Sequence, residues 1–237
     1  MIAITSIAPK HINEGIQEKA VKSWIAIGLK VYSMNGKAEC ELLAPLYPDV
    51  TFIPTPRTME HTFGRPYPSV NAIMDWAKEQ NEYHFCIINS DIELRCDVAT
   101  IERVKLEMDK AIVMGNRVNH NGDYIGAQYL AGIDLFFIHK KFLYSFAQTI
   151  FCLGQCHFDY WIPYSANQKG IDLTFVKQNI AYHLNHNAQY NHDQWLKTGR
   201  YLIWETGLYS FDATRDVGKA STYVYNYIYT NSKRKQI

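Results

Sequence analysis

Short apolar segments alternate with helix-like segments along the first half of this chain. The apolar segments have the length of β-strands, and the segments between them repeat apolar residues every three or four positions. The predicted strands cover residues 2–6, 29–34, 50–53, 83–88 and 111–114. Two predicted helices begin at the caps Asn13 and Ser69, and a third covers 98–108. This order predicts an α/β fold with a mostly parallel central sheet and helices on both faces.

The second half of the chain is less regular. Strands are predicted at 135–138 and 173–176, and helices at 140–151 and 193–204. The basic residues 233–235 are expected to form a solvated terminus. Because the sequence has no internal repeat, low-complexity segment or linker, residues 1–237 are predicted to form a single domain.

The composition excludes several classes of partner. The net charge is only +1, whereas nucleic-acid binding needs clustered positive charge. No apolar run reaches the length of a membrane span, and we expect no signal peptide at the first residues.

The five cysteines lack a disulfide-like spacing, which favours free thiols in the cytoplasm. A structural metal at Cys152, Cys156 and His157 would lack the second cysteine pair that zinc sites commonly have.

Polar residues follow the predicted strands. Thr5-Ser6 end the first strand, Arg57 and Arg65 lie in the long loop after the third, and Asn89-Ser90-Asp91 follow the fourth. The carboxyl ends of parallel strands meet at one edge of a sheet, where ligands bind. Since Mg²⁺ uses carboxylates together with substrate phosphates, Asp91 is a candidate metal ligand. The alternative is that Asp91 caps the next helix or turn.

The order of these parts resembles glycosyltransferases of the GT-A fold, which use nucleotide-sugar donors. Members carry an Asp-x-Asp motif, or a variant of it, after the fourth strand of a Rossmann-like sheet. Asn89-Ser90-Asp91 is similar to this motif, and a helix containing Asn71 precedes it. Asn89 stands in place of the first acid, so the resemblance implies that Asp91 is the ligand of the metal ion, Mn²⁺ or Mg²⁺. By order of elements the resemblance covers about residues 2–195.

Two later segments also resemble the family. Phe158-Asp159-Tyr160-Trp161 is similar to its acid-bearing segment, which makes Asp159 either a general base or a first-turn acid of a helix. The segment 182–187 resembles the metal-binding histidine segment, and one of His183 and His186 is expected to be a ligand. The segment 126–134 resembles the part that shapes the acceptor pocket.

The resemblance implies transfer of a sugar, by default from a UDP-sugar, to a glycan or another hydroxyl acceptor. It implies a nucleotide-binding half over about 1–118, an acceptor side over about 119–205 and a C-terminal extension over 206–237. The expected donor-binding residues are Thr5, Ser6, Arg57, Arg65, Asn71, Asn89 and Ser90. The expected acceptor-binding residues are Gly132, Asp134 and Trp161, with a turn as the alternative role of Asp134.

Three other functions compete with this interpretation. A sugar nucleotidyltransferase would carry a glycine-rich basic loop after the first strand, whereas Ile7-Ala8-Pro9-Lys10 contains no glycine. Asn89 in place of the first acid is compatible with a binding domain that has lost turnover. A metallohydrolase built on His183, His186 and His192 would need more ligands and would contain zinc.

Overall fold

The computed structural model describes residues 1–11, 15–186 and 192–237, so the predicted cap Asn13 lies outside the described residues. The strands are β1 (Ile2–Thr5), β2 (Lys30–Asn35), β3 (Thr51–Pro54), β4 (His84–Ile88), β5 (Ile92–Leu94), β6 (Ala111–His120), β7 (Gln128–His139), β8 (Asp172–Val176), β9 (Ala181–Leu184) and β10 (Ser232–Lys235). The helices are α1 (Ile16–Ala26), α2 (Lys37–Leu43), α3 (Glu60–Phe63), α4 (Val70–Glu79), α5 (Val98–Met108), α6 (Lys140–Leu143), α7 (Phe158–Gln168), α8 (His192–Glu205) and α9 (Val217–Thr230). A short 3-10 helix covers Ala44–Leu46. None of the described helices has the length and hydropathy needed to cross a bilayer.

These strands form one sheet in the order β10-β8-β6-β7-β4-β1-β2-β3, and β9 pairs with both β5 and β6. The strands β1 to β4 run parallel to one another, whereas β7 runs antiparallel to both of its neighbours. The mostly parallel sheet predicted from the alternation is therefore confirmed. The carboxyl ends of β1, β2, β3 and β4 lie at the same edge.

Helices cover both faces of the sheet. Phe85 and Ile87 of β4 pack into the core that α4 and α7 cover, whereas Cys86 and Ile88 pack into the core under α1 and α5. Successive strand residues point to opposite faces, so a strand buried on both sides must be apolar throughout. This explains the uninterrupted apolar run 85–88 and makes β4 a rigid support for the residues that follow it.

The predicted helix over 140–151 is wrong, because α6 ends at Leu143. The backbone of the rest of the segment instead forms hydrogen bonds with residues at the start of α4. The Asn71 side chain donates to the carbonyl of Ala147 at 2.9 Å and accepts from the N–H of Thr149 at 2.7 Å. The Val70 N–H donates to the carbonyl of Phe151 at 2.9 Å. These long-range bonds replace the helical ones.

Asn71→Ala is expected to lower the free energy of unfolding by about 2 kcal/mol, because it leaves an N–H and a carbonyl of the segment after α6 unpaired. Chemical denaturation of the variant and of Asn81→Ala, which changes an exposed asparagine, measures the difference. A loss of nucleotide affinity without a loss of stability would contradict this structural role of Asn71.

Residues 233–235, expected to form a solvated terminus, do include the exposed Lys233 and Arg234, but they are not a free end of the chain. These residues belong to β10, which pairs parallel with β8 at the edge of the sheet. The Lys235 ammonium lies 2.7 and 2.8 Å from the two carboxylate oxygens of Glu107 in α5. No local sequence pattern predicts that β10 pairs with the distant β8, because a basic tripeptide has low strand propensity.

Candidate functional site

The carboxyl ends of β1, β2 and β4 border an open cavity of about 910 Å³. Its other walls come from the β6–β7 hairpin, the segment 153–157 and the start of α7. This volume is within the range of small-molecule sites, and the position matches the ligand-binding edge of open α/β sheets. The cavity is therefore the candidate site for a ligand.

At one end of the cavity three imidazoles surround one carboxylate. The Nε2 atoms of His11, His183 and His186 lie 3.4, 3.4 and 3.3 Å from the same oxygen, Oδ2 of Asp91. The Nε2 atoms of His183 and His186 are 3.1 Å apart. We call these four residues the Asp91 cluster.

Strand pairing brings the cluster together. The chain enters β5 directly after Asp91, and β5 pairs antiparallel with β9, which places Ile92 opposite His183. The Trp24 indole of α1 donates to the Ile92 carbonyl at 2.8 Å and fixes this turn. Asp91 does not cap a helix, because the cap of α5 is Asp97, whose carboxylate accepts from the Thr100 N–H at 2.7 Å. The Asp91 carboxylate therefore interacts with the three histidines of the cluster.

The donor set of the cluster fits a divalent cation. Burial alone would raise the pKa of Asp91, but hydrogen bonds from His11, His183 and His186 hold that pKa well below its usual range. One ligand atom each from His11, Asp91 and His186 lies within 4.8 Å of the others. Imidazole nitrogens combined with a carboxylate suit Mn²⁺ or Zn²⁺, whereas Mg²⁺ prefers oxygen ligands throughout. The cluster is thus a candidate site for a transition-metal ion.

His11→Ala is expected to weaken Mn²⁺ binding about tenfold or more, because it removes one of the four side chains of the Asp91 cluster. Isothermal titration of Mn²⁺ measures the effect. His61→Ala, which changes an exposed histidine of α3, is the matched control. Equal affinities of the His11→Ala variant and the unaltered protein would remove His11 from the site.

A second network joins Asn89 and Arg117 to the Asp134 carboxylate. The Asn89 amide donates to Oδ1 of Asp134 at 2.8 Å, and the Arg117 guanidinium lies 2.9 Å from Oδ2. An aspartate at position 89 would bring a second negative charge against Asp134. Gly132 is equally constrained, because a Cβ there would lie 2.7 Å from the Tyr129 ring. The hairpin therefore packs closely around the Asp134 carboxylate.

Asp159 lies in the first turn of α7 and faces the cavity, where it is half-buried. Burial, followed by the negative charge of Asp134, raises the pKa of Asp159 to about 8. A carboxyl group with this pKa can gain or lose its proton near neutral pH, as a general acid or base must.

The start of α7 is held by two other helices. His157 precedes it at a φ of 71°, and its ring nitrogens lie 2.9 Å from the hydroxyls of Thr198 in α8 and Ser221 in α9. Burial lowers the pKa of His157 to about 4. Because both ring nitrogens are engaged, His157 does not offer a ligand for a metal at Cys152 and Cys156.

The structure separates the residues predicted for the site into two groups. Those that line the cavity are Ser6, Arg65, Asn89, Ser90, Asp91, Gly132, Asp134, Asp159, His183 and His186. Those outside the lining are the buried Thr5, Asn71 and Trp161, and Arg57, which pairs with Asp75 at 2.8 Å. Trp161 packs against Phe146 and Phe151 in the core.

Sequence reasoning missed several residues that line the cavity. They are His11, Asn35, Glu39, Arg117, Tyr129 and Gln155. Asn35 is the last residue of β2, so the rule that polar residues follow strands at the binding edge would have found it. Gln155 and His11 lie in irregular segments, where no local pattern marks them.

Comparison with protein-family models and with curated proteins finds no match to this sequence. Solved structures do match. The mannosyltransferase PcManGT from Pyrobaculum calidifontis, in complex with GDP-Man and Mn²⁺, is 10% identical, with a TM-score of 0.53 over 97% of this chain and 73% of that chain. HddC from Yersinia pseudotuberculosis, complexed with GMP-PN, is 10% identical, with a TM-score of 0.43 over 78% of this chain and 88% of that chain. The likeness to the mannosyltransferase confirms the predicted GT-A-like fold.

Proposed function

We propose that this protein is a metal-assisted glycosyltransferase that moves a sugar from a nucleotide-diphosphate donor to an acceptor hydroxyl. The observation that carries the proposal is the Asp91 cluster at the end of β4, in one cavity with Asp159. The GT-A-like fold, shared with a mannosyltransferase in complex with GDP-Man and Mn²⁺, supports the same donor class.

The Asp91 cluster would hold Mn²⁺ beside the donor diphosphate. A bound Mn²⁺ supplies positive charge where the leaving diphosphate gains negative charge. Arg65 lines the cavity and can pair with phosphate oxygens through its guanidinium, whereas Arg57 is engaged by Asp75. Ser6, Asn89 and Ser90 lie on the strand ends that border the donor side.

Asp159 would act on the acceptor. In an inverting reaction its carboxylate takes the proton from the attacking hydroxyl, and in a retaining reaction it positions that hydroxyl. Gly132 and Asp134 line the adjoining wall.

A donor screen tests the proposal. The protein is incubated with UDP- and GDP-sugars, with and without Mn²⁺, and released nucleoside diphosphate is measured together with the mass of any glycosylated acceptor. Mn²⁺-dependent release from one donor class supports the glycosyltransferase. Tight nucleotide binding with neither hydrolysis nor transfer would instead identify a binding domain that has lost turnover.

The histidine content of the Asp91 cluster favours a second candidate, a zinc-dependent hydrolase. Three imidazoles and a carboxylate are ligands that Zn²⁺ uses in proteins, and His11 adds a ligand that the sequence did not predict. Metal analysis of the purified protein separates the candidates when it is combined with nucleotide binding. Stoichiometric zinc in a protein that binds neither UDP nor GDP would favour the hydrolase.

A further inference from the structure

A second group of metal-ligating side chains lies at the other end of β4. His84 begins this strand, whereas the cavity lies beyond its last residue, Ile88. At about 3.3 Å per residue, roughly 16 Å of strand separates His84 from Asn89. The group formed by His84, Asp109 and His139, which we call the His84 group, is therefore distinct from the Asp91 cluster.

The sheet register creates the His84 group. His84 of β4 stands opposite His139 of the antiparallel β7, so both imidazoles project from the same face. Their ring centroids are 5.3 Å apart. Asp109 follows α5, and its Oδ1 lies 3.6 Å from Nε2 of His139. One ligand atom from each of the three residues lies within 4.8 Å of the others.

A second observation points to a ligand at this place. Nε2 of His84 is buried and has no hydrogen-bond partner in the described part of the chain. Buried polar atoms are nearly always paired, and a cation is one partner that can satisfy an imidazole nitrogen in a group with a second imidazole and a carboxylate.

We propose that His84, Asp109 and His139 bind Zn²⁺ or a similar borderline divalent cation. Two imidazoles and a carboxylate supply three protein ligands, and water supplies the fourth. The ion would tie the start of β4 to the end of β7 and to the segment after α5. It would stabilise the junction at which the sheet changes from parallel to antiparallel pairing.

Coordination would also change the tautomer of His139. Its Nδ1 accepts from the N–H of Lys141 at 3.1 Å, so the proton of the neutral ring is on Nε2. Binding of the ion through Nε2 moves this proton to Nδ1 and ends the hydrogen bond from Lys141. No proton is lost from the ring in this exchange.

The test uses a His11→Ala/His186→Ala background, which disables the Asp91 cluster. Zn²⁺ is titrated against a chromophoric zinc indicator, Co²⁺ is followed by its absorption spectrum, and melting is recorded with and without Zn²⁺. We expect one ion per chain and a higher melting temperature. At a free Zn²⁺ concentration 100 times Kd, the unfolding equilibrium constant should fall about 100-fold.

Two further variants in this background identify the ligands. His139→Gln and Asp109→Asn should each lower Zn²⁺ affinity about tenfold or more. His61→Gln, on an exposed histidine, should leave it unchanged. Asp109 has an exposed side chain, so its variant should fold even if a histidine variant does not. Absence of saturable Zn²⁺ binding in the background overturns the proposal, as does unchanged affinity in both ligand variants.

Discussion

Replacing Asp91 with alanine is expected to lower kcat/KM for sugar transfer by about a thousandfold. The reason is that Asp91 is the carboxylate on which the three imidazoles of the Asp91 cluster converge, each within 3.4 Å. Without it, the cluster loses its negative charge and the metal loses its anchor to the rigid strand β4. The measurement is initial-rate kinetics with the best donor from the screen, over a range of Mn²⁺ concentrations.

Glu93→Gln is the matched control for this variant. Glu93 lies two residues further on, and its carboxylate accepts from the Tyr124 hydroxyl at 2.8 Å. The change removes a nearby negative charge but no member of the Asp91 cluster, so kcat/KM should stay within a few-fold of the unaltered protein. Full Mn²⁺-dependent turnover by the Asp91→Ala protein would show that the metal is held elsewhere.

Replacing Asp159 with asparagine is expected to lower kcat by about 10²- to 10⁴-fold if the reaction inverts the anomeric centre, because it removes the proton acceptor. Mn²⁺-dependent nucleotide binding should persist, since Asp159 does not belong to the Asp91 cluster. Asp172→Asn, on an exposed carboxylate, is the control. Nucleotide affinity lost together with kcat would place Asp159 on the donor side.

The pH dependence provides an independent test of Asp159. Its pKa of about 8 means that a base at this position is active only after it loses its proton, so kcat/KM should rise through about pH 8. The Asp159→Asn protein should lack this rise. A profile that is already flat well below pH 8 would exclude Asp159 as the base of the free enzyme.

Stability should change with pH in the opposite sense. Between the ordinary pKa of 3.8 and about 8, the folded chain keeps the Asp159 proton that the unfolded chain has released. The free energy of unfolding therefore falls as pH rises through this interval, with a limiting slope of about 1.4 kcal/mol per pH unit. Denaturant unfolding at several pH values should show a shallower slope for Asp159→Asn.

Local patterns were enough to predict the central part of the fold. The apolar run 85–88 predicts a strand buried on both faces, and the structure confirms it. The predicted cap Ser69 is also confirmed, since its hydroxyl accepts from the Ala72 N–H at 3.0 Å. Both features depend on residues close together in sequence, where periodicity and capping rules apply.

The remaining features depend on contacts between distant parts of the chain. Asp91 meets His183 because β5 pairs with β9, and His11 reaches the same carboxylate from the loop after β1. The early end of α6 depends on Asn71 in a helix far upstream. Such contacts are decided by tertiary packing, which a propensity or a short motif does not encode.

The most direct test of the proposed function is isothermal titration of UDP and GDP, each with and without Mn²⁺, on the unaltered protein and on Asp91→Ala. We expect one nucleotide to bind only when both Mn²⁺ and Asp91 are present, which would locate the diphosphate at the carboxyl end of β4. The proposal that the Asp91 cluster holds the metal for a nucleotide-sugar donor would be contradicted if neither nucleotide bound the unaltered protein with Mn²⁺. It would also be contradicted if the nucleotide bound equally well without Mn²⁺ and to the Asp91→Ala protein.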